Sequence, residues 1–82
     1  MDAQQTRRII EVKAYSGYKA NERPQSLLID DTILTVKRII KRWAEPERDC
    51  YDLLASDGKR YIVCWSRDLD VWSLERVYHS DV

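Results

Sequence analysis

The chain has 82 residues, of which 44% are hydrophobic and 34% are charged, and its 14 Lys and Arg residues balance 14 Asp and Glu residues. This length allows one small domain with a single core and excludes a second domain. Three Trp and five Tyr residues, together with many aliphatic side chains, supply enough apolar surface for the chain to fold alone.

Several functional classes lack their sequence signals in this chain. Residues 1–8 hold no apolar run of signal-peptide length, and no stretch approaches the roughly 20 apolar residues of a membrane span. We therefore expect a cytoplasmic protein with no membrane partner. Two cysteines and one histidine, with no Cys-x-x-Cys motif, provide no zinc-ligand spacing. We expect no metal and no cofactor.

The first part of the chain predicts strands on either side of a long loop. Residues 8–15 alternate after a doubled isoleucine, which is typical of a strand. Residues 16–25 are polar, contain Gly and Pro and have no period, so they predict the longest loop of the ordered chain. A short strand at residues 26–29 and a tight turn at Asp30 and Asp31 follow.

Residues 32–43 carry two conflicting patterns. On a helical wheel the apolar side chains lie on one side and the basic side chains on the other, which is typical of an amphipathic helix. Six of these twelve residues are β-branched, which favours a strand. We predict a strand and keep an amphipathic helix over residues 33–43 as the alternative. The doubled Ile39-Ile40 fits a β-bulge or a strand covered on both sides.

The clearest element is a β-hairpin centred on Asp57 and Gly58. An Asp-Gly pair between two apolar runs is the strongest short-range hairpin signal. A two-residue turn would place Cys50 and Cys64 on opposite faces of the hairpin, so we expect no disulfide between them. A one-residue bulge at Gly58 would change that register. Residues 71–78 alternate again and predict the last strand.

Together these elements predict an all-β fold, a single small antiparallel meander of five to six strands. The domain would cover residues 8–78, with residues 1–7 and 79–82 as disordered tails. So few short strands cannot form a two-sheet sandwich, whereas a twisted sheet that curls into a partly open SH3-like barrel also removes exposed edges. The predicted core consists of Ile10, Val12, Leu27, Ile29, Leu34, Val36, Trp43, Tyr51, Leu53, Ile62, Cys64, Trp72 and Leu74.

The long loop is the first candidate binding site. Tyr18, Lys19 and Arg23 lie in this loop and Tyr15 at its start, and an exposed tyrosine beside basic residues is typical of protein-recognition sites. The primary functional prediction is therefore a non-catalytic interaction module that binds another protein through the 15–24 loop. A loop tyrosine that folds back over one end of the barrel is the structural alternative.

The basic and aromatic strand is the second candidate site. Its members are Lys37, Arg38, Lys41, Arg42 and Trp43. Cations can contact phosphates and aromatic rings can stack on bases, so the alternative function is a nucleic-acid-binding small barrel. With regular alternation, the side chains of the two lysines would point to one face of the strand and those of the two arginines to the other, which would split this patch. Ion pairs with acidic neighbours would make the same residues purely structural.

The sequence offers little support for catalysis. It contains no Gly-x-Ser-x-Gly motif and no glycine-rich phosphate loop. Asp68 and Asp70 are paired carboxylates, but on a turn such residues usually accept hydrogen bonds from local backbone amides. His79 lies close to the C-terminus, where order is least expected. We therefore predict that the protein is not an enzyme.

Five short motifs occur in a fixed order along the chain. They are Tyr15-Ser16-Gly17-Tyr18-Lys19, Glu22-Arg23-Pro24, Arg42-Trp43-x-Glu45-Pro46, Asp57-Gly58-x-x-Tyr61 and Asp70-x-Trp72-x-Leu74. As an ordered set, spanning residues 10–76, they resemble a family of small uncharacterised bacterial proteins with a domain of unknown function. The resemblance implies a bacterial, cytoplasmic, all-β protein and assigns no catalytic residue. We expect a monomer, or a weak dimer formed by strand addition at residues 27–29.

Overall fold

The structure is a computed structural model that describes the backbone of residues 3–15 and 23–79 and the side chains of residues 8–13 and 24–79. All regular structure in these ranges is β-strand. The strands are β1 (Ala3–Tyr15), β2 (Arg23–Ile29), β3 (Thr32–Glu45), β4 (Arg48–Ala55), β5 (Arg60–Ser66) and β6 (Val71–Tyr78). The predicted all-β fold is confirmed, and β3 is a strand rather than the alternative helix. No helix that could cross a membrane occurs in the described ranges.

The six strands form a closed antiparallel barrel in which sequence neighbours pair and β6 pairs with β1. β1 and β3 are long because separate segments of each strand pair with different neighbours. β3 pairs with β2 through residues 32–35 and with β4 through residues 36–45. β1 pairs with β6 through its first part and with β2 through its second. This closure, in which every strand has two neighbouring strands, is consistent with a small SH3-like barrel.

The hydrophobic core fills the inside of the barrel. Its buried members are Ile10, Leu27, Leu34, Tyr51, Leu53, Ala55, Tyr61, Val63, Trp72 and Leu74. Val12, Ile29 and Val36 are partly buried against this cluster, as their alternation predicted. Leu53 is fully buried at 0% exposure, and burial of one such side chain contributes about 1.5–3 kcal/mol.

The β4–β5 hairpin has a three-residue loop in place of the predicted two-residue turn. The amide of Gly58 donates to the carbonyl of Ala55 at 3.0 Å, and the amide of Ala55 donates to the carbonyl of Lys59 at 3.0 Å. Gly58 adopts a φ of 84°. A tight turn followed by a left-handed glycine is the G1-bulge hairpin, which inserts one residue into the connection. The register of β5 against β4 is therefore shifted by one position.

This shift makes two sequence-based predictions wrong. Cys50 lies opposite Cys64, and the two form a disulfide instead of occupying opposite faces. Ile62, predicted in the core, lies on the outer face and is partly buried, whereas Tyr61 and Val63 occupy the core. Cys64 is buried but lies outside the core cluster. Because side chains alternate along a strand, a slip of one residue exchanges the two faces of β5.

Candidate functional site

The basic residues of β3 lie on a strand whose alternation is reset by two β-bulges. We refer to Lys37, Arg38, Lys41 and Arg42 as the β3 cations. The pairing of β3 with β4 shifts between Val36 and Arg38 and again between Ile39 and Lys41. The second shift coincides with the doubled isoleucine, where the sequence indicated a bulge. Each bulge adds one residue to β3 and changes which side chains share a face.

As a result, Arg38, Lys41 and Trp43 share the outer face of the barrel. Their partners on β4 are Leu54, Asp52 and Cys50, respectively. Positions two apart on a strand point to the same side, so the three β3 residues do so as well. Arg42 lies opposite Tyr51, on the other face. The prediction that Lys41 and Arg38 would face in opposite directions is therefore wrong.

The β3 cations also differ in their partners from four other arginines of the barrel. Ion pairs with N–O distances of 2.5–3.1 Å hold Arg8, Arg48, Arg60 and Arg67. The β3 cations are all exposed, and none has an ion-pair partner among the side chains that the structure describes. The positive charge of β3 is thus available to a ligand, whereas much of the remaining arginine charge is neutralised internally.

A groove of about 330 Å³ lies on the outer face beside Trp43, and we call it the outer groove. Its lining residues are Trp43, Glu45, Arg48, Ile62, Cys64, Glu75, Arg76 and Tyr78. Trp43 was predicted in the core, but its place opposite Cys50 puts it on the outer face, partly buried. The Cys50–Cys64 disulfide joins β4 to β5 in the floor of this groove.

One wall of the outer groove is a hydrogen-bonded network centred on Arg48. Its Nε donates to Glu45 Oε1 at 2.8 Å and its Nη1 to Glu75 Oε2 at 3.1 Å. Trp43 Nε1 donates to Glu45 Oε2 at 3.0 Å, and Ser73 Oγ donates to Glu75 Oε2 at 2.8 Å. The hydrogen bonds from Arg48 and then from Trp43 hold the pKa of Glu45 below its ordinary value. The wall therefore presents fixed carboxylates that accept hydrogen bonds.

The opposite end of the groove is ordered by a buried carboxylate. Asp52 is 5% exposed, and Arg60 donates two hydrogen bonds to it, from Nε and from Nη2. These hydrogen bonds are the main cause that raises the pKa of Arg60. The guanidinium of Arg60 lies over the ring of Tyr78 at 5.1 Å from the ring centroid. Arg60 thus connects the buried charge on β4 to the aromatic ring at the edge of the groove.

Only part of the loop candidate lies within the described residues. Tyr18 and Lys19 lie outside them. Tyr15 and Arg23 pair through their backbones at the end of the β1–β2 ladder, but their side chains also lie outside the described set. The predicted protein-binding site at these four residues therefore lies outside the described side chains and stays a prediction.

The described residues hold no group of three His, Cys, Asp or Glu side chains that could bind a metal ion. The turn candidate Asp70 accepts a hydrogen bond from Trp65 Nε1 at 2.9 Å. The outer groove was missed by sequence reasoning, because Ile62, Arg76 and Tyr78 line it from two strands that carry no binding motif. The only available signal was the alternation of β5 and β6, which could be used only with the correct register.

No protein-family model, no curated protein sequence and no solved structure matches the chain.

Proposed function

We propose that this domain is a non-catalytic module that binds single-stranded nucleic acid along the outer face of β3. The observation that carries the proposal is the set of exposed β3 cations, which have no carboxylate partners among the described side chains. A single strand presents phosphates, which cations bind, and bases, which aromatic rings stack on. Both kinds of group occur together on this face.

The arrangement of the face suits a flexible strand. Arg38 and Trp43, which both lie on this face, are five residues apart, which corresponds to about 16 Å of extended chain and so to contact with a few nucleotides. Lys41 Nζ lies 6.0 Å from the centroid of the Trp43 ring. A phosphate bound at Lys41 would therefore bring its neighbouring base close to that ring. The balanced overall charge does not oppose this, because attraction depends on the local field.

A protein partner at the 15–24 loop, with Tyr15, Tyr18, Lys19 and Arg23, remains the other proposal from the sequence. We favour the nucleic-acid function because the exposed β3 cations and Trp43 that support it lie among the described side chains. A cytoplasmic location fits that function, since nucleic acid is present there.

The test is binding of a fluorescein-labelled single-stranded 15-mer at about 50 and about 300 mM salt, a range over which phosphate contacts weaken strongly. The Arg38→Gln/Lys41→Gln double variant should lower the magnitude of the slope of log K against log salt by about 1.4, at about 0.7 per lost phosphate contact. The matched control is Lys13→Gln/Lys59→Gln, which removes the same charge from β1 and the hairpin loop.

The control variant should keep the wild-type slope. Equal slopes in the two double variants, or no binding at low salt, would contradict the proposal. Thermal unfolding of each variant by circular dichroism checks that the barrel is intact.

A further inference from the structure

The outer groove continues the line of the β3 cations on one face. Arg38, Lys41 and Trp43 follow one another along β3, and Trp43 is also a wall of the groove. A strand whose phosphates contact Arg38 and Lys41 would therefore meet the groove at its next nucleotide. The volume of about 330 Å³ lies at the small end of ligand sites, roughly 300–1,000 Å³, and suits a single base.

Two aromatic side chains of the groove are held in place before any ligand arrives. Trp43 is fixed by its hydrogen bond to Glu45, and Tyr78 is held by Arg60 over its ring and by Arg76 Nη1, which donates to its hydroxyl at 3.0 Å. Rings that are already ordered lose little side-chain entropy when a base stacks on them. The groove is thus prepared for a flat aromatic ligand.

The chemistry of the remaining lining distinguishes one kind of base from another. Ile62 and the disulfide give an apolar floor. Glu45 accepts one hydrogen bond on each oxygen, from Arg48 and from Trp43, and a carboxylate has about four acceptor sites. It can therefore accept a further hydrogen bond from an exocyclic amino group, as carboxylates do with the N4 amino group of cytosine.

We infer that the outer groove binds one nucleobase that carries an exocyclic amino group, stacked on Trp43 and Tyr78 and hydrogen-bonded to Glu45. The inference rests on the proposed function, because the phosphate contacts of β3 bring the strand to the groove. Among pyrimidines of equal size, the groove should prefer cytosine, which has the amino group, over thymine, which has a carbonyl oxygen at that position.

The test compares three single strands with the same number of phosphates: oligo-dC, oligo-dT and an abasic strand. The wild-type protein should bind oligo-dC most tightly and the abasic strand most weakly. Trp43→Leu should reduce the preference for oligo-dC over the abasic strand by at least about fivefold, the lower end of base–aromatic stacking. Its affinity for the abasic strand should not change.

Trp65→Leu is the matched control. Trp65 is also partly buried, and its Nε1 also donates to a carboxylate, at 2.9 Å, but it lies opposite Trp72 on the inner face. This variant should keep the wild-type preference. Equal binding of all three strands by the wild-type protein, with the salt dependence preserved, would overturn the nucleobase pocket and leave the proposed function intact. Binding of none of them would overturn both.

Discussion

Removal of the Cys50–Cys64 disulfide should lower the free energy of unfolding by at most about 3 kcal/mol. The two cysteines are 14 positions apart, and closing a loop of about 15 residues lowers the entropy of the denatured chain by an amount equivalent to roughly 3 kcal/mol at 25 °C. This value is an upper limit, because the tight turn at Gly58 favours proximity of the two strands in the denatured ensemble as well. We expect a loss of about 2–3 kcal/mol.

Urea unfolding followed by tryptophan fluorescence, with and without a reductant, measures this loss. At a slope of about 1 kcal/mol per molar urea, the midpoint should fall by roughly 2–3 M on reduction. The Cys50→Ala/Cys64→Ala variant should unfold near the reduced midpoint and should not respond to the reductant. Equal midpoints for the oxidised and reduced wild-type protein would contradict this prediction, as would two free thiols in the denatured protein before reduction.

The size of this loss also bears on the predicted cytoplasmic location. Thiols are normally kept reduced in the cytoplasm, so there the barrel would depend on its core and ladders alone. A domain of this size has little stability to spare, often about 5 kcal/mol. A barrel that remains folded after reduction is compatible with the cytoplasm, whereas one that unfolds requires an oxidising compartment.

Three further predictions concern the stability of the barrel. Gly58→Ala should cost about 1–2 kcal/mol in urea unfolding, although the added Cβ would meet no atom within 4 Å, because a φ of 84° is unfavourable for residues with a side chain. Gly58→Asn should cost less. A double-mutant cycle of Asp52→Ala and Arg60→Ala should give a coupling energy of about 1–2 kcal/mol, since Asp52 is buried while the Arg60 side chain is 46% exposed; a value near zero would count against a structural role. Burial, and then the hydrogen bond to Asp57, raise the pKa of Tyr61 well above 10.0. Above about pH 10 the unfolded state releases the Tyr61 proton before the folded state does, so the free energy of unfolding should fall. The Tyr61→Phe variant should lose less free energy of unfolding than the wild-type protein between about pH 9 and about pH 11, as measured by urea unfolding.

The positions of the strands and turns could be predicted because their signals are local. Asp30 and Asp31 form the predicted tight turn, and both adopt positive φ angles, 53° and 64°, which aspartate tolerates better than most residues. β3 is a strand because its β-branched residues pack well on a pleated sheet, and this preference outweighed the amphipathic pattern.

The register of β5 could not be predicted, because the local signal at Asp57 and Gly58 fits two kinds of hairpin. An Asp-Gly pair suits a two-residue turn, and it also suits a three-residue loop with glycine in the left-handed position. The choice depends on which face of β5 fits the barrel interior. Tyr61 and Val63 occupy the interior, and this choice is made against the opposing strands rather than by the local sequence.

The candidate site shows the same division between local and tertiary information. Composition alone identified the β3 cations, but the face that each side chain occupies depends on two bulges, and only the one at Ile39-Ile40 had a sequence signal. The outer groove depends further on the β5 register, since Ile62 and Cys64 line it only after the one-residue shift. A prediction that misplaces the hairpin register by one residue therefore does not bring the groove-lining residues together.

The bulges and cations of β3 also affect whether one edge of this strand can be exposed without pairing with a second copy of the chain. Within the described residues, the part of β3 beyond Thr35 pairs only with β4, so one edge lacks a ladder partner there. Bulges and charged side chains on an edge oppose pairing with a strand from a second copy, because like charges would meet and the register would not match. Neither effect opposes the binding of a flexible polyanion, because it carries the opposite charge and forms no backbone ladder. An edge of this kind therefore favours a monomer in solution while it leaves the β3 cations accessible to the proposed nucleic-acid strand.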